Sequence, residues 1–133
     1  MFEIKVEQRI GRVPVTILRL LGSFDTAATK IFEDKTDELI ERGSENFLLD
    51  LSALTFLSSI GIRSITTLYY ELHPEISGEE KGSILKGIRS GEYTAPHLKL
   101  LKPPSNIKRV LETTGLDLVL ETYTNEGKAI EAF

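Results

Sequence analysis

The chain has 133 residues, enough for one domain, with 41% hydrophobic and 27% charged residues, an ordinary globular balance. It contains no cysteine, which excludes disulfides, thiol catalysis and thiolate metal sites. Its net charge of −4 favours solubility and argues against general nucleic-acid binding, which needs a positive field.

The chain opens with MFEIKVEQRIGRVPV, where charge and apolarity alternate and no signal-peptide core appears. No apolar run is long enough to span a bilayer, so a cytoplasmic protein without a membrane partner is expected. Phe2, Ile4 and Val6 alternate with Glu3, Lys5 and Glu7, which predicts a strand with one buried face. Gly11 is expected to supply the positive φ of a turn into a second strand over about 13–21. Pro14 cannot donate to a ladder, so it belongs at that strand's start or on an edge. The two strands read as an antiparallel hairpin.

Asp25 is a good N-cap for a helix over 26–42 that ends at Gly43. Ala28, Ile31, Phe32 and Leu39 are expected on its buried face. The apolar run over 46–51 suits a central strand covered on both sides, followed by a turn through Ser52 to Leu57. A second helix starts near Ser58 or Ser59, with Ile62, Ile65, Leu68, Tyr69 and Leu72 as its buried stripe. The segment from His73 to Pro96 is rich in Gly, Glu, Lys and Ser. It is expected to be a mobile extended loop, with at most one helical turn around Ile84, Leu85 and Ile88.

A strand resumes over 97–101, and Pro103-Pro104-Ser105 introduces a helix with Ile107, Val110 and Leu111 inward and Gly115 at its end. Leu118 to Glu121 reads as a last short strand, and Thr124 as the cap of a helix burying Ala129, Ile130 and Phe133. The order is β-β-α-β-α-β-α-β-α. Right-handed crossovers then give an α/β fold in one domain over 1–133: a single mixed sheet with an N-terminal hairpin, parallel strands after it and helices packed on it.

One stretch concentrates functional signals. Asp50 to Ile62 reads DLSALTFLSSIGI and leads from a buried strand into a helix N-terminus. In open α/β sheets ligands and partners bind at such strand ends, and the free N–H groups of a helix start favour anions. Ser58 and Ser59 stand there, and Gly61 lets another backbone come close. Taken singly, each has a plainer role, because serine and aspartate are common N-caps and Asp25 needs no other reason to be where it is.

The stretch from Leu49 to Ile65 resembles the signature of the STAS domain family, the fold of bacterial anti-sigma factor antagonists. Gly22-Ser23-Phe24-Asp25 is similar to that family's motif after the second strand, and Val110-Leu111 through Gly115-Leu116 to its late helix. The resemblance covers nearly the whole chain. It implies that Ser59 is the phosphoacceptor and Asp25 its acidic neighbour, with Thr26, Ser58, Ile60, Gly61 and Arg63 completing a partner-binding surface. It further implies an anti-sigma factor kinase and a phosphatase as partners, binding by the unphosphorylated form and release of a sigma factor. Three departures stand out: Ser58 replaces the frequent Asp, Ile60 replaces a small residue, and the 73–96 segment is longer than the usual loop.

Other chemistries have little support. Only His73 and His97 are available as neutral-pH bases, neither placed by sequence near Ser59, and no Gly-x-Ser-x-Gly elbow occurs. No phosphate-binding glycine loop, dinucleotide fingerprint or metal-ligand spacing is visible, so neither catalysis, cofactor nor metal is expected. Two further readings stay open: a small-molecule or anion-binding module on the same helix terminus, and a scaffold subunit of a stress-signalling assembly. A homodimer is compatible with either.

Overall fold

In a computed structural model that describes residues 1–74 and 95–133, the N-terminal alternation becomes strand β1 (Phe2–Ile10). It pairs antiparallel with β2 (Pro14–Phe24) in one unbroken register, from Phe2 opposite Gly22 to Ile10 opposite Pro14. Helix α1 (Thr26–Glu41) leads to β3 (Phe47–Leu57), and helix α2 (Ser59–Leu72) follows it. Beyond the undescribed residues come β4 (Leu98–Leu101), α3 (Ser105–Thr114), a 3-10 turn (Leu116–Leu118), β5 (Thr122–Tyr123) and α4 (Glu126–Glu131). The sheet order is β1-β2-β3-β4-β5, with β2 through β5 parallel. The expected mixed sheet and element order are both observed.

Sequential strand order with right-handed crossovers puts successive helices on one face. Accordingly Phe32 of α1, Ile65 and Leu68 of α2 and Ile107 and Leu111 of α3 share one core with Leu18, Leu20, Phe47, Leu49 and Leu100. The other face carries a smaller cluster of Val15, Ile17, Leu48 and Leu101, closed by Ala129 of α4. Phe47 to Leu51 are buried without a break because both faces are covered there.

Several boundaries differ from the sequence expectation. No turn begins at Ser52; β3 continues to Leu57, and β2 likewise runs past Leu21 to Phe24. Two register shifts against β2, between Arg19 and Leu21 and between Gly22 and Ser23, insert extra residues into β3. The bulges replace two-residue alternation with burial of Leu51, Leu54 and Leu57, every third residue, so the segment does not read as a strand. The 118–121 strand is absent. Leu116 and Leu120 are both buried, joined by a Leu120 N–H to Leu116 carbonyl bond of 3.0 Å, so this run coils and the strand forms at Thr122–Tyr123 instead. Asn125, not Thr124, caps α4, its Oδ1 accepting from Lys128 N–H at 2.9 Å.

Smaller differences concern faces. Ile31 is exposed, and Thr36 takes the inward place on α1. Val110, Leu72, Ile130 and Phe133 are only partly buried. Gly11 has no positive φ; a side chain there would put its Cβ 2.8 Å from Ile130 Cγ2. The helical turn around Ile84 and the mobility expected of the long loop fall outside the described residues. The loop's described ends are anchored, because His73 and Ala95 are both buried.

Gly22 stands opposite Phe2 in the hairpin at φ +91°, and a Cβ there would lie 2.1 Å from the Met1 carbonyl oxygen. Gly43, which ends α1 at φ +101°, has nothing within 4 Å of the same position. Gly22→Ala is therefore expected to cost about 2–4 kcal/mol of strain and displacement, and Gly43→Ala about 1 kcal/mol of backbone strain alone. Urea unfolding of the two variants beside the parent checks the difference; equal losses would contradict it.

Candidate functional site

The C-terminal ends of β2 and β3 lie side by side, and each runs directly into a helix. Phe24 is the last residue of β2 and Asp25 the N-cap of α1, its Oδ1 accepting from Ala28 N–H at 3.1 Å. One strand over, Leu57 ends β3 and Ser58 caps α2. The two caps are stitched through one acceptor. The Phe24 carbonyl receives the Ser58 N–H at 3.0 Å and the Ser58 hydroxyl at 2.9 Å. Ser58 Oγ in turn accepts from Gly61 N–H at 3.0 Å. The one proton of the Ser58 hydroxyl and one of its two lone pairs are thus engaged at the seam.

Gly61 is buried because the seam is tight. A Cβ there would sit 2.9 Å from Phe24 Cδ1, 2.9 Å from Leu57 Cδ1 and 3.0 Å from the Phe24 carbonyl oxygen. The first turn of α2 can approach β2 only if this position has no side chain.

Ser59 occupies the first helical position beside this locked cap. It is exposed, and its hydroxyl meets no protein group among the described residues. Ile60 is 38% exposed at the next position, an unusual place for a large apolar side chain. Arg63 is exposed and lies four residues beyond Ser59, on the same helical face. Thr26 is exposed at the first position of α1. Neither helix has an acidic residue in its first turn, which leaves the N-terminal partial charges of both uncompensated except by Asp25. The structure therefore brings Asp25, Ser58 and Gly61 together around Phe24, with Thr26, Ser59, Ile60 and Arg63 displayed around them.

Phe56 was missed by sequence reasoning. It is 51% exposed and faces Ser23 in the β2–β3 register, beside the same strand ends. Reading 52–57 as a turn gave it no face. The three-residue spacing of Leu51, Leu54 and Leu57 was the available signal.

The first residues of the motif serve the strand. Asp50 Oδ1 accepts from Ser52 N–H at 3.0 Å and Ser52 Oγ at 2.7 Å, closing the first bulge on itself. Its Oδ2 accepts from Arg19 Nη1 at 2.8 Å. Arg19 also pairs with Glu7 of β1 and, at 2.8 Å, with Glu126 of α4. Burial pushes the Asp50 carboxyl up, but the two Ser52 bonds and Arg19 outweigh it and hold it below the ordinary range. The Arg19 hydrogen bond lowers Glu126 as well.

The histidines lie elsewhere. His73 is buried just beyond the far end of α2, a helix of 14 residues and so about 20 Å from Ser59. Its Nδ1 lies 2.7 Å from the Tyr69 carbonyl, and its Nε2 accepts from His97 N–H at 3.4 Å. His97 bonds Asn46 through Nδ1 at 2.8 Å. Both rings hold the base of the fold and neither approaches Ser59. Among the described residues no helix is long and apolar enough to cross a membrane.

The sequence matches a family model described as the STAS domain over residues 2–75. The fold is similar to that of an anti-sigma factor antagonist from Mycobacterium paratuberculosis, at 20% identity and TM-score 0.72 over 99% of this chain and 93% of that one. It is also similar to SpoIIAA in its unphosphorylated form, at 20% identity and TM-score 0.69 over 97% and 94% of the two chains. The Bacillus cell fate determinant SpoIIAA in its phosphorylated form gives 19% identity and TM-score 0.63 over 97% of each chain. At these identities the likeness establishes the fold. A comparison with curated proteins finds no match.

The depressed Asp50 carboxyl has a consequence for stability. A carboxylate whose folded pKa lies below its unfolded value of about 3.9 stabilises the fold above that value and loses the effect as pH falls through the folded pKa. Asp50→Asn should therefore cost about 2 kcal/mol at pH 7, and the gap to the parent should narrow below about pH 4. Urea titrations at pH 7 and pH 3 measure it; a gap that widens in acid would contradict the assignment.

Proposed function

This chain belongs to the STAS domain family, and from that we propose that it is a phosphorylation-controlled protein-binding switch of the anti-sigma factor antagonist kind, with Ser59 as the phosphoacceptor. The observation that carries the reading is the unequal use of two adjacent serines. The Ser58 hydroxyl donates to Phe24 and accepts from Gly61, whereas the Ser59 hydroxyl stands exposed with no partner among the described residues. A kinase that needs a free hydroxyl finds it on Ser59.

The surroundings would tolerate the product. A phosphate carries about −1.5 to −2 charges at pH 7. At the first position of α2 it meets the helix's positive end, worth about 0.3–1 kcal/mol on an exposed site. Arg63, one turn along, offers a guanidinium within reach of the same face. The domain should accept the modification without unfolding.

A partner should not. The surface around Ser59 combines exposed Ile60 and Phe56 with Thr26 and Asp25, a mix suited to a protein that packs apolar groups around a neutral serine. A dianion in the middle would have to be desolvated and would stand near the Asp25 carboxylate. In this reading the unphosphorylated chain binds an anti-sigma factor with kinase activity, phosphorylation releases it, and a phosphatase restores binding. The likeness to SpoIIAA in both its unphosphorylated and phosphorylated forms supports the choice of this switch over a plain binding module. The chain then acts by association, and its own residues transfer no group.

Incubating the purified chain with native extract and ATP, then locating the phosphate by mass spectrometry, tests the assignment. The phosphate should sit on Ser59, vanish in Ser59→Ala and persist in Ser58→Ala, although the latter loses about 1 kcal/mol of stability with its cap. Ser59→Asp should fold normally and bind the captured partner about a hundredfold more weakly. A phosphate on Ser58 would overturn the register. Saturable binding of a small anion with no kinase acting on either serine would favour the anion-binding module instead.

A further inference from the structure

Strand β1 forms one edge of the five-stranded sheet. The two ends of its hairpin fix which backbone groups face outward. Ser23 N–H donates to the Met1 carbonyl at 2.9 Å, and Gly11 N–H donates to the Val13 carbonyl at 3.1 Å. With the register unbroken between them, odd-numbered residues turn their N–H and C=O groups toward β2. Phe2, Ile4, Val6, Gln8 and Ile10 turn theirs to the open edge. Nine residues make a long edge that no strand covers among the described residues, and its outward row includes Val6 at 37% and Ile10 at 84% exposure.

We propose that β1 pairs antiparallel with β1 of a second copy of this chain about a two-fold axis through Val6, joining two sheets into one. In this register Val6 faces the partner's Val6, Ile4 faces the partner's Gln8, and Phe2 faces the partner's Ile10. All are even-numbered, so outward groups meet outward groups and up to about ten backbone hydrogen bonds form. Ile10, almost fully exposed in the monomer, gains an aromatic neighbour.

The odd-numbered residues supply the selectivity. They stand at the close positions of the ladder, where Cα atoms are about 4.5 Å apart. Glu3 meets the partner's Arg9, and Lys5 meets the partner's Glu7, each pair counted twice by symmetry. Within the chain neither Glu3 nor Lys5 forms an ion pair among the described residues. Glu7 belongs to a cluster in which Glu7, Asp50 and Glu126 surround Arg19, so an added lysine enters where carboxylates are in excess.

Neighbouring registers are disfavoured. Sliding by two residues one way sets Lys5 against the partner's Lys5 and Glu3 against the partner's Glu7. Sliding the other way sets Glu7 against the partner's Glu7 and Lys5 against the partner's Arg9. Like charges directly opposite destabilise a strand pair. The strand is complementary to itself in one long register, which is why the occupant is a second copy. This pairing involves no property of Ser59 and is independent of its role.

Sedimentation velocity of the full chain across a concentration series tests it, with circular dichroism confirming that each variant is folded. The parent should show a monomer–dimer equilibrium that weakens with salt. Glu3→Lys alone and Arg9→Glu alone should each raise the dimer dissociation constant about tenfold, because symmetry applies each change twice. The double variant Glu3→Lys/Arg9→Glu should restore it. A parent that stays monomeric at millimolar concentration, or a dimer indifferent to the single variants, would overturn the proposal.

Discussion

The architecture of the candidate site depends on one carbonyl group. Phe24 closes β2 and offers its oxygen to both the N–H and the hydroxyl of Ser58. Ser58 in turn caps α2 through Gly61, which lacks the Cβ that would strike Phe24 and Leu57. A helix start leaves N–H groups without partners, and here one of them is satisfied by a side chain anchored to the neighbouring strand. The position of α2 is therefore set by β2 as well as by β3. Everything displayed from its first turn inherits that placement. The division of labour between adjacent serines follows directly, with one consumed by the cap and the next left free.

A second constraint acts upstream. Asp50 and Ser52 close a bulge in β3, and Arg19 ties that bulge to β1 and to α4 on the less covered face of the sheet. Bulges re-aim the side chains beyond them. After the bulges Leu54 and Leu57 point to the core while Phe56 and Ser58 reach the strand ends where the helices begin. The stretch from Asp50 to Arg63 thus contains two kinds of residue. Asp50, Ser52 and Gly61 shape the backbone, and Ser59, Ile60 and Arg63 face outward from it.

Much of this was legible in the sequence, and the failures have identifiable causes. Alternation at Phe2 and Ile4, the cap at Asp25 and the continuous run from Phe47 are local patterns, and local reading placed them correctly, whereas Val6, expected on the buried face of the same strand, is exposed. The extension of β3 was not legible because bulges abolish the period on which strand recognition depends. Leu118 to Glu121 was assigned to the wrong element because a short apolar run does not distinguish a strand from a helical turn. At the site, the residues taken by themselves identified the serine pair without dividing its roles, and only the family resemblance singled out Ser59. Both serines suit an N-cap, and the deciding contact is with Phe24, 34 residues away in the chain. Phe56 escaped notice for the same reason as the strand that carries it.

The most direct test of this account is hydrogen exchange at the Gly61 amide, followed by NMR in the parent chain and in Ser58→Ala. If the Ser58 hydroxyl holds the first turn of α2 as described, that amide is protected in the parent. It should exchange at least about tenfold faster in the variant, while amides of β2 and β3 keep their protection. A Gly61 amide that exchanges freely in the parent, or stays protected without the hydroxyl, would show that Ser58 is not committed to the cap, and the distinction between the two serines would fall with it.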